Sequence, residues 1–375
     1  MKTLKKVLAL MMILAMTLAS LVSCGSQETS EQKFEEFTNV SDMLYEVTYD
    51  EYSSEIPDES KCKLLAGDLG CSGVRNGDFV GRNFDYIMNE CPTFVVRTTA
   101  KDGRYATLGV GRLAKINSEK VEAGLSEEQI DILPWGIVDG INEKGLVANC
   151  NVVPRADWGE VPHTGTNPDG QDLNANYIVR AVLDNCATTD EVVEYLGNYN
   201  VTPLDSELFD LHIMFSDSEK TIVVEFINNK IVAEEQYIMT NYFLNMDKMP
   251  DYTDGIERVK ILKENYDEGK TMDGMYNLMQ RVKYTNAYDP AYEWYSELGY
   301  TNSEMKEKKK ELKERLYVLQ DEFKEELEYI EKNGYRESTD WWDTTHNSVY
   351  DMANKRVWIT VHERYDEKPF EFTLQ

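Results

Sequence analysis

Two periodicities divide this chain. Alternating apolar and polar residues mark strands with one buried face, and apolar residues three or four apart mark helices. The first clear alternation is 71–83, interrupted by Arg75-Asn76-Gly77-Asp78. Asn-Gly is a strong hairpin signal, so 71–75 is expected to pair with 79–83. Further strands are predicted over 91–97 and 105–110, both rich in β-formers. Residues 135–151 read as strand, Asn-x-x-Gly turn, strand. Helical spacing at Ile178, Val179, Val182 and Leu183 predicts a helix over 174–186, and Thr188-Thr189-Asp190 caps a second over 191–199. Strands follow at 209–216, 221–227, 231–232 and 237–240, then a helix at 255–265. A closing hairpin joins 346–352 to 357–362 near Asn354-Lys355. Between these, 303–334 carries Leu312, Leu316, Leu319, Phe323, Leu327 and Ile330 among lysines and glutamates. It reads as a long charged helix with one packing stripe, lying on its own domain. Dense strands with helix pairs make the fold class α+β.

The first 24 residues follow a different rule. Lys2, Lys5 and Lys6 precede an apolar run over 7–18, shorter than the ~20 residues a membrane span needs. Leu21-Val22-Ser23-Cys24 then reads as a lipoprotein cleavage box, which makes 1–24 an export signal and Cys24 the lipid attachment site. Such a chain is expected in the bacterial cell envelope, outside the cytoplasm and held to the membrane by its lipid. Residues 25–42 are polar and acidic, as in a tether. Residues 43–70 mix Tyr, Val and Leu with charge, and read as a pro-segment or as strands retained in the fold. The main domain is 71–375.

Charge removes one class of partner. Asp and Glu number 68 against 39 Lys and Arg, a net −29, and nucleic acid needs a basic footprint. The six cysteines include no C-x-x-C, and the four histidines are scattered, so neither metal nor cofactor is expected. A disulfide involving Cys62 stays open outside the cytoplasm.

The candidate chemistry lies in Gly70–Tyr86, GCSGVRNGDFVGRNFDY. The hairpin brings Arg82 towards Cys71, where a guanidinium favours the thiolate. If the Gly70–Cys71 bond is cut, the freed α-amine titrates near pH ~8 and can take the thiol proton. Asp85 can hold that amine. By residue type alone, a buried structural thiol beside a surface ion pair fits as well.

The spacing, however, resembles the start of the choloylglycine hydrolase and penicillin V acylase family of linear amide C–N hydrolases. These are N-terminal-nucleophile enzymes with acid ceramidase-like relatives. In that family a cysteine is followed, after a hairpin, by Gly-Arg-Asn-x-Asp, and Cys71, Arg82 and Asp85 fall on those positions. Asp139-Gly-Ile-Asn-Glu-Lys-Gly-Leu146 resembles its second signature, whose asparagine Asn151 matches; Asn149 shares that strand face. Thr240-Asn241 resembles a pair that supplies another site asparagine, and Arg258 matches an arginine near the site. The last hairpin, with Ser348-Val349-Tyr350, is also similar. The resemblance covers roughly 71–300 and 340–365. It implies a four-layer αββα sandwich of two antiparallel sheets, with Asn151 and Asn241 as oxyanion donors. It implies a small N-acyl amide as substrate, such as a conjugated bile acid, penicillin V or an N-acyl amine, and leaves a homo-oligomer open. A dyad through His346 or His362 is unnecessary when an α-amine is the base. Two alternatives stand: an acyltransferase, in which an amine resolves the thioester, and a tethered binding lipoprotein.

Overall fold

The computed structural model describes residues 33–34, 37–65, 70–86, 91–154, 165–204, 209–244, 253–283 and 343–374. The expected export signal, Cys24 and the charged helix at 303–334 lie outside these residues.

The larger sheet has ten strands. Its order is β1 (Lys33–Phe34), β3 (Leu44–Glu51), β6 (Thr93–Thr98), β7 (Thr107–Gly111), β8 (Ile137–Asn142), β9 (Val147–Pro154), β12 (Phe209–Ser216), β13 (Thr221–Ile227) and β14 (Lys230–Glu235). The tenth, β2 (Thr38–Ser41), pairs with β3 off this path. The smaller sheet runs β15 (Ile238–Met239), β4 (Gly70–Asn76), β5 (Phe79–Tyr86), β16 (Asp343–Asp351), β17 (Arg356–Val361) and β18 (Phe370–Thr373). A parallel pair, β10 (Gln171–Asn174) and β11 (Tyr199–Thr202), stands apart.

Leu44, Val95, Leu108, Val110, Ile141 and Val147 of the larger sheet meet Val80, Tyr350, Val357 and Ile359 of the smaller one in a dry layer between them. The opposite face of the larger sheet, with Val96, Ala148, Cys150 and Val152, is covered by Ile178, Val179, Val182 and Leu183 of α3 (Ile178–Asn185) and by Val192 and Leu196 of α4 (Thr189–Gly197). Two short helices, α1 (Ser118–Ala123) and α2 (Glu127–Ile132), precede them. The outer face of the smaller sheet, with Val74 and Val349, packs on α5 (Thr253–Glu264) and α6 (Met272–Arg281) through Val259, Leu262, Met275, Leu278 and Met279. The fold is therefore an α+β sandwich in four layers, αββα. Burial of such side chains contributes roughly 1.5–3 kcal/mol each.

Two expectations need correcting. The larger sheet is not wholly antiparallel, because β3 runs parallel to β6. Alternation along a strand fixes its faces but not its partner, so this pairing left no sequence mark. The far end of the 25–42 tether is also not free, since β1 and β2 both pair with β3. The 43–70 segment supplies β3 itself, and Tyr52 donates a hydrogen bond to the buried Asp184 carboxylate at the end of α3. In the intact chain this segment is thus part of the sheet, with Leu44, Tyr45, Val47 and Tyr49 in the core.

Candidate active site

The site begins with a local event. β4 and β5 form a hairpin in which Asn76 pairs with Phe79, and Gly77 turns the chain at φ +61°, a conformation glycine adopts without strain. This register sets Cys71 opposite Phe84 and Gly73 opposite Arg82. Because side chains alternate, Cys71, Arg82 and Phe84 share the face towards the larger sheet, while Asn83 and Asp85 face α5 and α6.

On the inner face, Arg82 is fully buried. Its Nη2 lies 3.7 Å from Cys71 Sγ and donates to the Cys150 carbonyl at 2.7 Å. Its Nη1 pairs with Asp139 Oδ2 at 3.0 Å, and its guanidinium carbon lies 4.8 Å from the centre of the Phe84 ring. Asp139 also takes a hydrogen bond from Tyr350 Oη and lies 2.8 Å from His346 Nε2. Phe84 stacks on the His346 ring at 5.0 Å. Burial pushes the Asp139 carboxyl up, but Arg82 and His346 outweigh it and hold it below the usual carboxylate range. Burial drives the His346 pKa down to about 4, against the pull of Asp139 and with help from Arg82 and Arg112. The ring is therefore neutral near pH 7. We assign the proton to Nε2, since a bare nitrogen there would face a carboxylate. Burial raises the Tyr350 phenol, and Asp139 raises it further.

At the edge of β4, just beyond its pairing with β15, the Cys71 backbone nitrogen donates to Asn241 Oδ1 at 2.8 Å. That oxygen also accepts from Arg258 Nη2 at 2.5 Å. Arg258 Nη1 pairs with Asp85 Oδ2 at 2.6 Å, and Asp85 Oδ1 accepts from the Thr344 hydroxyl at 2.6 Å. All of these groups are buried. A continuous chain of hydrogen bonds thus links Asp85 to the Cys71 nitrogen through Arg258 and Asn241.

All six expected residues gather around the head of β4, some in other roles. Arg258 lies in the second turn of α5, and its ion pair with Asp85 accounts for its place. Asn241 turns its carbonyl to the Cys71 nitrogen, while its Nδ2 donates to the Val152 carbonyl at 2.8 Å. The corner carrying it is held by His212, which donates to the Thr240 carbonyl at 2.7 Å and packs beside Glu225. Asn151 Nδ2 donates to the Met239 carbonyl at 3.3 Å. An amide nitrogen carries two protons, so both asparagines keep one N–H for a ligand. Asn149 is fully buried, and neither end of its amide has a partner among the described residues. A Cβ on Gly73 would come within 2.7 Å of its Oδ1. Burial of Cys186 pushes its thiol up to about 12, that of Cys91 is also raised, and no disulfide joins the five described cysteines.

Sequence reasoning overlooked Asp139 and Tyr350 as site residues and set His346 aside. One signal was available. Ile137-Val138-Asp139-Gly140-Ile141 places an acid where the strand is apolar on both sides, and a buried acid needs a partner.

Two face-to-face sheets thus lie between helical layers, with a buried cysteine at the head of the hairpin in the smaller sheet. A sequence profile described as acyl-coenzyme A:6-aminopenicillanic acid acyl-transferase matches residues 74–366, and the chain belongs to that family. It is 31% identical over 113 residues to the penicillin V acylase of Pectobacterium atrosepticum, a stretch covering 28% of this chain and 29% of that protein. Its outline is similar to that of a mutant of the conjugated bile acid hydrolase from Clostridium perfringens: TM-score 0.47, 14% identity, 82% of this chain and 92% of the other. The penicillin V acylase of Agrobacterium tumefaciens gives TM-score 0.40 at 16% identity, over 81% and 86%.

Proposed function

We propose that this protein is a cysteine amidase that cleaves the linear C–N bond of a small N-acyl amide through a thioester on Cys71. The observation that carries the reading is the setting of one residue. The Cys71 sulfur lies 3.7 Å from a buried guanidinium, and its nitrogen is gripped by Asn241, which is bonded in turn to the Arg258–Asp85 pair. A buried structural thiol needs none of this.

The chemistry starts with hydrolysis of the Gly70–Cys71 bond, in which one water leaves a carboxyl group on Gly70 and a free α-amine on Cys71. That amine takes the thiol proton as Sγ attacks the substrate carbonyl carbon. Arg82 favours the developing thiolate. The second N–H groups of Asn151 and Asn241 serve the oxyanion. The C–N bond breaks, the leaving nitrogen takes the proton from the amine, and a thioester remains. Water then attacks the thioester, releasing the acid and restoring the thiol. Penicillin V, conjugated bile acids and N-acyl amines share the required acyl amide. Acyl transfer is the second reading, because the family profile itself is named for a transferase; there an acceptor amine replaces water in the last step. The reading of residues 1–24 adds a lipid on Cys24 and a place on the outer side of a bacterial membrane.

Two measurements test this. Purified protein is incubated with penicillin V, glycocholate and N-acyl ethanolamines, with detection of the released amine. Cys71→Ala is expected to abolish release, and undiminished release in that variant would end the proposal. The intact mass of the mature protein shows whether the chain breaks before Cys71, and whether it begins at a lipid-bearing Cys24.

A further inference from the structure

We propose that Asp139 is a positioning residue that fixes Arg82 against the Cys71 sulfur and limits the positive charge Arg82 presents to it. This rests on the reading of Cys71 as the nucleophile.

Asp139 and the sulfur sit at opposite ends of one guanidinium. Nη1 lies 3.0 Å from the carboxylate, and Nη2 lies 3.7 Å from Sγ. A buried arginine with no counter-charge would hold its neighbouring thiol as a thiolate. Such a thiolate could not hand a proton to an amine, and its low basicity would blunt its attack. Asp139 offsets that pull. The carboxylate is itself fixed from three directions: Arg82 from β5, and His346 and Tyr350 from β16. His346 is neutral near pH 7, so it orients Asp139 without cancelling its charge. The other ionisable groups facing this cluster are Cys71 from β4 and, just beyond β7, Arg112, whose charge acts on His346; Cys150 of β9 meets it only through its backbone carbonyl.

Arg82 also has holds that do not depend on Asp139. The Cys150 carbonyl at 2.7 Å and the Phe84 ring keep it in place. Asp139→Asn preserves shape and an acceptor oxygen, so its main effect is electrostatic. At an effective dielectric of ~20, a unit charge this close shifts a titration by about one pH unit.

The test is the pH dependence of Cys71 alkylation by iodoacetamide, followed by peptide mass mapping so that other thiols are separated. The midpoint is read, not the absolute rate. Asp139→Asn is expected to lower the midpoint by about one unit, while Asp139→Glu keeps it near wild type. An unchanged or raised midpoint in Asp139→Asn overturns the proposal. Should that variant not fold, Arg82→Gln is compared with Arg82→Gln/Asp139→Asn, which buries no unbalanced charge. The double variant is expected to have the lower midpoint, and equal midpoints overturn the proposal. The parent reading fails separately: protein alkylated at Cys71 that still hydrolyses amide removes the nucleophile, whatever the midpoints show.

Discussion

Arg82 and Arg258 lie on opposite faces of the hairpin that carries Cys71; each is fully buried and each is paired with one aspartate, yet they address different atoms. Arg82 points at the sulfur. Arg258 acts on the nitrogen through Asn241. The hairpin explains the division. Arg82 and Asp85 are three residues apart, so alternation sends them to opposite faces. One residue can thus have its acid end and its basic end tuned independently. The ion pairs differ too: 2.6 Å for Arg258–Asp85 against 3.0 Å for Arg82–Asp139, with Tyr350 and His346 also on Asp139.

That difference predicts unequal losses. Removing one partner of a buried ion pair typically costs about 3–5 kcal/mol, because the other charge is stranded. Each change removes a second donor bond, from Arg258 to Asn241 or from Arg82 to the Cys150 carbonyl, but Arg258→Gln breaks the closer pair and leaves Asp85 the Thr344 hydroxyl, whereas Arg82→Gln leaves Asp139 both Tyr350 and His346. Arg258→Gln is therefore expected at the upper end of that range and Arg82→Gln at the lower, by urea unfolding at pH 7. Asp85→Asn added to Arg258→Gln should recover part of the loss. The contrast between the two faces breaks if Arg82→Gln proves the more costly change.

A second effect belongs to the inner face. The His346 pKa of about 4 lies below its unfolded value of 6.5. Between these values the unfolded chain binds a proton that the folded one refuses. Stability is therefore intact above pH 6.5 and falls as pH drops towards 4, by about 3 kcal/mol in all. His346→Gln cannot take up that proton, so its stability should fall less over the same window. Parallel denaturant curves at pH 7 and pH 4.5 measure the difference. Equal losses would mean that His346 is not held neutral.

These two faces were unequally legible in the sequence. The hairpin is local: Asn76-Gly77 fixes its register, so Cys71, Arg82 and Asp85 can be placed from the chain alone. Asn241 and Arg258 came through resemblance, because nothing near them in the chain shows that they meet at Cys71. Asp139 and His346 are 207 residues apart and join only when β8 and β16, from different sheets, face each other. Pattern reading gives each strand its faces but not which strands oppose. The segment before the cysteine was opaque for the same reason, since its β3 strand finds a parallel partner, β6, far along the chain.

The smallest effect concerns Asn149, which stands on the inner face with no partner for either end of its amide among the described residues. A buried amide without a hydrogen bond costs about 1–3 kcal/mol, and leucine has a similar branched shape. Asn149→Leu should therefore stabilise the fold by about 1 kcal/mol, the Gly73 backbone beside it being too close to allow a full gain. For a chain of this size that is a rise in Tm of about 2 °C. The same protein, assayed for amine release, sharpens the contrast between the faces. A more stable variant with lower turnover would give the inner face a third polar group that serves the substrate at a cost to the fold. A fall in Tm would mean instead that the amide is satisfied in the native protein and belongs to the framework around Asp139.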